Sequence, residues 1–164
     1  MKAYKMRKPG ICGLLVMAAF VVALMGCGSQ ASGDPDNFRG IKWGADFSSL
    51  SGFNQIAQEG ALSFYEKTDD ALQMDDVKVD QIIYGFYKGR FYTAMIYFPS
   101  SSFARMKDIV VKQFGQPAEP DKTPSKLVWD GTSVTVLLAQ ANTPESSRLA
   151  YIYKPIQLEV EMKK

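Results

Sequence analysis

The sequence predicts an α+β domain, an antiparallel sheet built from hairpins with one amphipathic helix packed on a face. Three observations lead there. Two stretches dense in Ile, Tyr and Phe, Val79 to Tyr87 and Arg90 to Phe98, are separated by two residues only, Lys88-Gly89; a Gly at the second loop position takes the positive φ of a tight hairpin turn. Between Phe103 and Phe114 the apolar residues Phe103, Met106, Val110 and Phe114 recur at spacings of three and four, the period of a helix that buries one stripe. Further short runs rich in strand formers lie on both sides, and strands grouped around a helix in this order fit an α+β architecture.

Taken in order, Phe38-Arg39-Gly40-Ile41-Lys42-Trp43-Gly44 reads as an entry strand and Asp46 to Leu50 as a helical turn. Phe53 to Gln58 and Ala61 to Lys67 flank Glu59-Gly60; the Gly and the aromatic pair Phe64-Tyr65 favour a hairpin over a helix followed by a strand. In the helix that follows the central hairpin, Ser101 or Ser102 can cap the free amides, Gly115 supplies a left-handed stop and Pro117 prevents resumption. Its apolar stripe suits core packing better than a cofactor slot, since Arg105, Lys107, Asp108 and Lys112 fill the other side. A second hairpin is expected at Asp130-Gly131, between Lys126–Trp129 and Thr132–Leu138. The last strand, Leu149 to Tyr153, stops before Pro155, which has no N–H for a ladder.

The amino terminus carries an address. Lys2, Lys5, Arg7 and Lys8 precede an apolar run from Ile11 to Met25, and Leu24-Met25-Gly26-Cys27 closes it. Basic flank, apolar run and small residue at the end are the ordered parts of a secretory signal. The tetrapeptide resembles the lipobox of bacterial lipoproteins. The resemblance implies that the signal, residues 1–26, is cut before Cys27 and that Cys27 bears a diacylglycerol on its thiol and an acyl chain on its amine. Fifteen apolar residues fall short of the ~20 that cross a bilayer as a helix. Gly28 to Asn37 is small and polar, which suits a tether over residues 27–37 leading to a domain over 38–164. Non-acidic Gly28 and Ser29 imply, through the same resemblance, the outer membrane of a two-membrane cell.

Removal of the signal changes the electrostatics. Of nineteen bases and seventeen acids, four bases and no acid precede Ile11, so the mature chain is slightly acidic and offers no basic surface for nucleic acid. Cys12 leaves with the signal and Cys27 is taken by lipid, so no disulfide is available and the core alone must hold the fold.

The residues that carry chemistry are few. There is no histidine and no free thiol in the mature domain, which removes the commonest general base and the Ser-His and Cys-His nucleophile pairs. Phosphate loops, dinucleotide fingerprints and zinc spacings are absent as well, so neither a cofactor nor a metal site is expected. A hydrolase or lyase would have to work with carboxylates, as many glycosidases do. Asp69, Asp70, Asp75, Asp76 and Asp80 cluster within twelve residues, but lack the ordered spacing of a calcium loop and read as a solvated loop.

Aromatic residues are the remaining candidates. With Lys88-Gly89 as the turn, Tyr87 faces Arg90, Phe86 faces Phe91, Tyr84 faces Thr93 and Ile82 faces Met95. Alternation then sorts Ile82, Tyr84, Phe86, Phe91, Met95 and Tyr97 onto one face, and Val79, Ile83, Tyr92, Ala94, Ile96 and Phe98 onto the other. Neither face is polar. Either both sides are covered, or one aromatic side, bearing Tyr84, Phe86, Phe91 and Tyr97, stays open for a partner. Phe38–Gly44 and Tyr84-Gly85-Phe86-Tyr87-Lys88-Gly89 resemble segments of small bacterial envelope proteins that have no assigned activity. The expectation is a membrane-anchored envelope lipoprotein that binds a protein, glycan or lipid partner, with the carboxylate-dependent hydrolase or lyase as the alternative.

Overall fold

The computed structural model describes residues 33–118, 125–141 and 146–162. The expected signal, Cys27 and the first part of the expected tether lie outside the described residues.

Among the described residues eleven strands and two α-helices follow one another. A small hairpin, β1 (Asn37–Phe38) and β2 (Ile41–Lys42), precedes a 3-10 turn at Phe47–Ser49. Next come β3 (Phe53–Glu59), β4 (Leu62–Lys67), the short pair β5 (Gln73–Met74) and β6 (Val77–Lys78), and the long pair β7 (Gln81–Tyr87) and β8 (Arg90–Phe98). α1 (Phe103–Phe114), β9 (Lys126–Asp130), β10 (Val134–Ala139), β11 (Ser147–Tyr153) and α2 (Lys154–Glu161) complete the chain. Seven strands form one antiparallel sheet in the order β3-β4-β7-β8-β11-β10-β9. This is the expected α+β fold, with each expected hairpin present.

The ladder shows where pattern reading goes astray. Lys88 and Gly89 both take positive φ, 50° and 75°, and Tyr87 pairs with Arg90 and Phe86 with Phe91 as expected. Beyond them the register shifts by one: Gly85 pairs with Thr93, Tyr84 with Ala94 and Ile82 with Ile96. The extra residue is Tyr92, a β-bulge, which moves every later side chain of β8 to the opposite face from simple alternation. The inner face therefore carries Ile82, Tyr84, Phe86, Phe91, Ala94, Ile96 and Phe98, all buried.

Two covers close that inner face. Phe38 packs on Tyr84 and Tyr151 at ring distances of 5.7 and 5.3 Å, Trp43 stacks on Phe91 at 4.8 Å, and Phe47 meets Phe86 and Tyr65. What reads in sequence as an entry strand is thus a tight hairpin, because Arg39 and Gly40 both adopt positive φ and reverse the chain. The second cover is α1, whose Met106 and Val110 are wholly buried, with Phe103 and Phe114 packed at the margin. Gly115 ends it at φ 80°, and its carbonyl accepts the Trp129 indole N–H at 2.8 Å. Neither serine supplies the expected cap: Ser102 stands at the helix start without a side-chain bond, after a 3-10 turn at Ser100–Ser102.

α2 lies across the outer face at one end. Ile156 packs with Tyr87 and Tyr92, joined by Leu62 and Val160, and Arg90 bonds Glu159 at 2.6 Å. The domain also starts earlier than composition suggests. Asp34 accepts the Ser133 amide, the Pro35 carbonyl accepts the Trp43 indole N–H at 2.8 Å, and the Trp43 amide reaches the Asp36 carbonyl. Residues 34–37 belong to the packed domain and not to the tether.

Candidate functional site

Of the two arrangements the sequence leaves for the aromatic face, covered or open, the structure has the covered one, and the binding surface proposed on it is not there. Tyr84, Phe86 and Phe91 are 0 % exposed, Tyr84 beneath Phe38, Phe91 beneath Trp43 and Phe86 beneath Phe47 and Phe53. The Tyr84 hydroxyl donates to Asp70 at 2.5 Å, and Asp70 also accepts Arg39. Burial and the adjacent Asp70 charge push the Tyr84 phenol far above its ordinary range, so this group is a buried neutral pin holding the 68–80 loop to the core. The one member of the set on the surface, Tyr97, sits on the other face, because the Tyr92 bulge reverses its side.

The outer face instead presents a row that the register assembles across five strands: Ile83, Met95, Ala150, Leu137 and Val128. Ala150 is buried and the other four are half-buried. Among the described residues no helix covers them, since α2 packs on Tyr87, Tyr92 and Leu62 nearer the turn. Alongside runs a polar row, Gln81, Tyr97, Arg148, Ala139 and Lys126. Tyr97, Ala139, Gln140, Ala141, Ser146 and Arg148 line a shallow hollow of about 230 Å³ there. An antiparallel sheet with one solvated side ordinarily turns polar residues outward. Here an apolar stripe stands beside a tyrosine and two cationic side chains, a surface that suits an amphipathic partner.

Two other concavities fit chemistry less well. Asp34, Phe114, Pro117, Trp129, Asp130 and Val136 are among the residues around a cleft of about 340 Å³. Asp130 is bonded by Lys154 at 2.6 Å and by Thr135 at 3.0 Å, and these bonds hold its carboxyl below the usual range, the opposite of what a general acid needs. A smaller hollow of about 160 Å³ gathers Glu66, Asp70 and Asp80. Each is engaged, Glu66 by Gln81, Asp70 by Arg39 and Tyr84, and Asp80 by Ser146.

The acidic cluster is scattered by the fold. Asp70 turns inward, Asp76 pairs with Arg105 at 2.9 Å and Asp80 bonds Ser146. Among the described residues no three acidic side chains are placed to share a metal ion, and no helix is long and apolar enough to cross a membrane. No family model, curated protein or solved structure matches the chain.

The outer row was missed in the sequence because its assembly depends on the bulge. Gly85 in mid-strand was the available signal, since a strand glycine marks a bulge or a close approach.

Proposed function

We propose that this chain is a non-enzymatic lipoprotein of the bacterial envelope, anchored through Cys27, whose sheet holds a protein, glycan or lipid partner on its outer face. The observation that carries the binding role is the uncovered apolar row from Ile83 to Val128 beside Tyr97 and Arg148. The ordered signal ending at Leu24-Met25-Gly26-Cys27 supports the anchor. The lack of histidine and the engagement of Glu66, Asp70, Asp80 and Asp130 in bonds support binding over acid–base chemistry.

A photoactivatable side chain placed at Met95 or Leu137 tests this in intact envelopes, with Leu72, exposed in the 68–80 loop, as the control. The reading expects one discrete adduct from both sheet positions and none from Leu72, with the adduct lost when Tyr97 and Arg148 are replaced by Ala. Equal, diffuse labelling from all three positions overturns it.

A further inference from the structure

The chain leaves the folded domain beside one end of the sheet. Residues 34–37 are held against the domain, and Asp34 is bonded at Ser133, in the loop between β9 and β10. At Gly131 a β-carbon would stand 1.7 Å from the Asp34 carboxylate, so the segment lies directly on this loop. From Cys27 to Asp34 there are seven residue steps, which reach at most about 25 Å in any conformation. A lipid on Cys27 therefore lies within that distance of the β9–β10 loop, whichever way the intervening chain runs.

The same end carries α2. β9 and β11 finish there and β10 begins there, Lys154 bonds the Gly131 carbonyl at 2.5 Å and Asp130 at 2.6 Å, and its amide bonds the Ser133 carbonyl. Ile156 and Val160 of α2 pack on the sheet. Four residues apart and on the other side of the helix, Leu158 and Met162 are 57 % and 79 % exposed, an apolar pair along one face. The acidic loop, with Asp69, Asp75, Asp76 and Asp80, joins β4 to β7 at the far end.

We infer that the mature protein docks on the bilayer by the end of the sheet that holds Asp34 and α2, with Leu158 and Met162 entering the headgroup boundary. The inference rests on the reading of Cys27 as the lipid-bearing residue. Attachment at Asp34 brings the lipid-bearing segment to this end, and the apolar pair gives it contact. The acidic loop and the Tyr97 end of the outer row then point into the compartment.

The test uses the full-length protein, processed and lipidated in cells, on vesicles of phosphatidylethanolamine and phosphatidylglycerol. Because Cys27 carries lipid and Cys12 leaves with the signal, a cysteine introduced as Leu158→Cys, Met162→Cys or Leu72→Cys is the single free thiol. Each is labelled with a fluorophore, and quenching by nitroxide-bearing lipid is measured. Flotation with vesicles reports the anchor separately. The expected result is flotation of all three, with several-fold stronger quenching at 158 and 162 than at 72. Equal quenching in proteins that float overturns the orientation and leaves the anchor standing, whereas a processed protein that does not float overturns both.

Discussion

At Gly85 a β-carbon would stand 2.4 Å from Thr93 Cγ2 and 3.2 Å from Phe64 Cε1. No side chain fits there without moving both neighbours. Gly85→Ala is expected to destabilise by about 1 to 3 kcal/mol, and Thr93→Ser, which removes the crowding methyl while keeping the hydroxyl that bonds the Tyr151 carbonyl at 2.9 Å, should recover part of that loss. Urea titrations of the two single variants and the double variant measure the coupling; strict additivity would refute the clash. Burial raises the phenols of Tyr84, Tyr92 and Tyr151, with the Asp70 bond and charge adding to the effect at Tyr84. Above pH ~10 the unfolded chain loses those protons while the folded chain keeps them. Stability is therefore complete below pH ~10 and falls as pH rises beyond it, with a slope approaching about 1.4 kcal/mol per unit for each such tyrosine. Phenolate absorbance should show Tyr84 and Tyr151 ionising only as the fold opens, and Tyr92 ionising later than an exposed phenol. At this scale the sequence identified large aromatic side chains but not their neighbours: Tyr84, Phe86 and Phe91 look alike whether covered or open, and their cover comes from Phe38, Trp43 and Phe47, some forty or more residues earlier.

The helices show what local pattern can and cannot carry. The carboxyl end of α1 is legible in the sequence, because an apolar stripe, a left-handed Gly115 and a following Pro117 all state the same boundary, whereas its start lacks the serine cap that the sequence offers. Val110 is wholly buried on that stripe, so Val110→Asp puts an unpaired charge into the core and is expected to cost about 3 kcal/mol or more; an unchanged melting temperature would contradict the packing. α2 was read only as the stop of a strand. Pro155 does end the ladder, but it also stands in the first turn of a helix, where a missing N–H costs nothing, and Ile156 and Val160 at a spacing of four were the overlooked sign. Ile156→Ala is expected to lose about 2 to 5 kcal/mol, together with a hydrogen-exchange signature of early opening confined to α2 and the Tyr87–Tyr92 patch. The bulge at Tyr92 is harder: one extra residue in β8 leaves the composition of both strands unchanged, and its cause lies in the glycine opposite.

For the whole molecule, the fold class followed from hairpin turns and one helical stripe, features written within ten or twenty residues of chain. The candidate binding surface did not, since the row from Ile83 to Val128 draws on five strands whose order, β7-β8-β11-β10-β9, no local pattern records. Anchoring belongs to this scale too. Cys27→Ala is expected to leave the chain unprocessed or released from membranes, and mass spectrometry of the wild type should find acyl chains at Cys27; an unmodified mature terminus elsewhere would refute the anchor. The two covers of the inner face also give the protein a means of reporting on itself. Its two tryptophans sit one under each cover: Trp43, stacked on Phe91 and bonded to Pro35, moves with the N-terminal hairpin, and Trp129, bonded to Gly115, moves with the end of α1. Replacing either by Phe leaves a single native indole whose emission follows one cover alone, so the order in which the sheet is undressed during unfolding can be watched in real time without adding a dye.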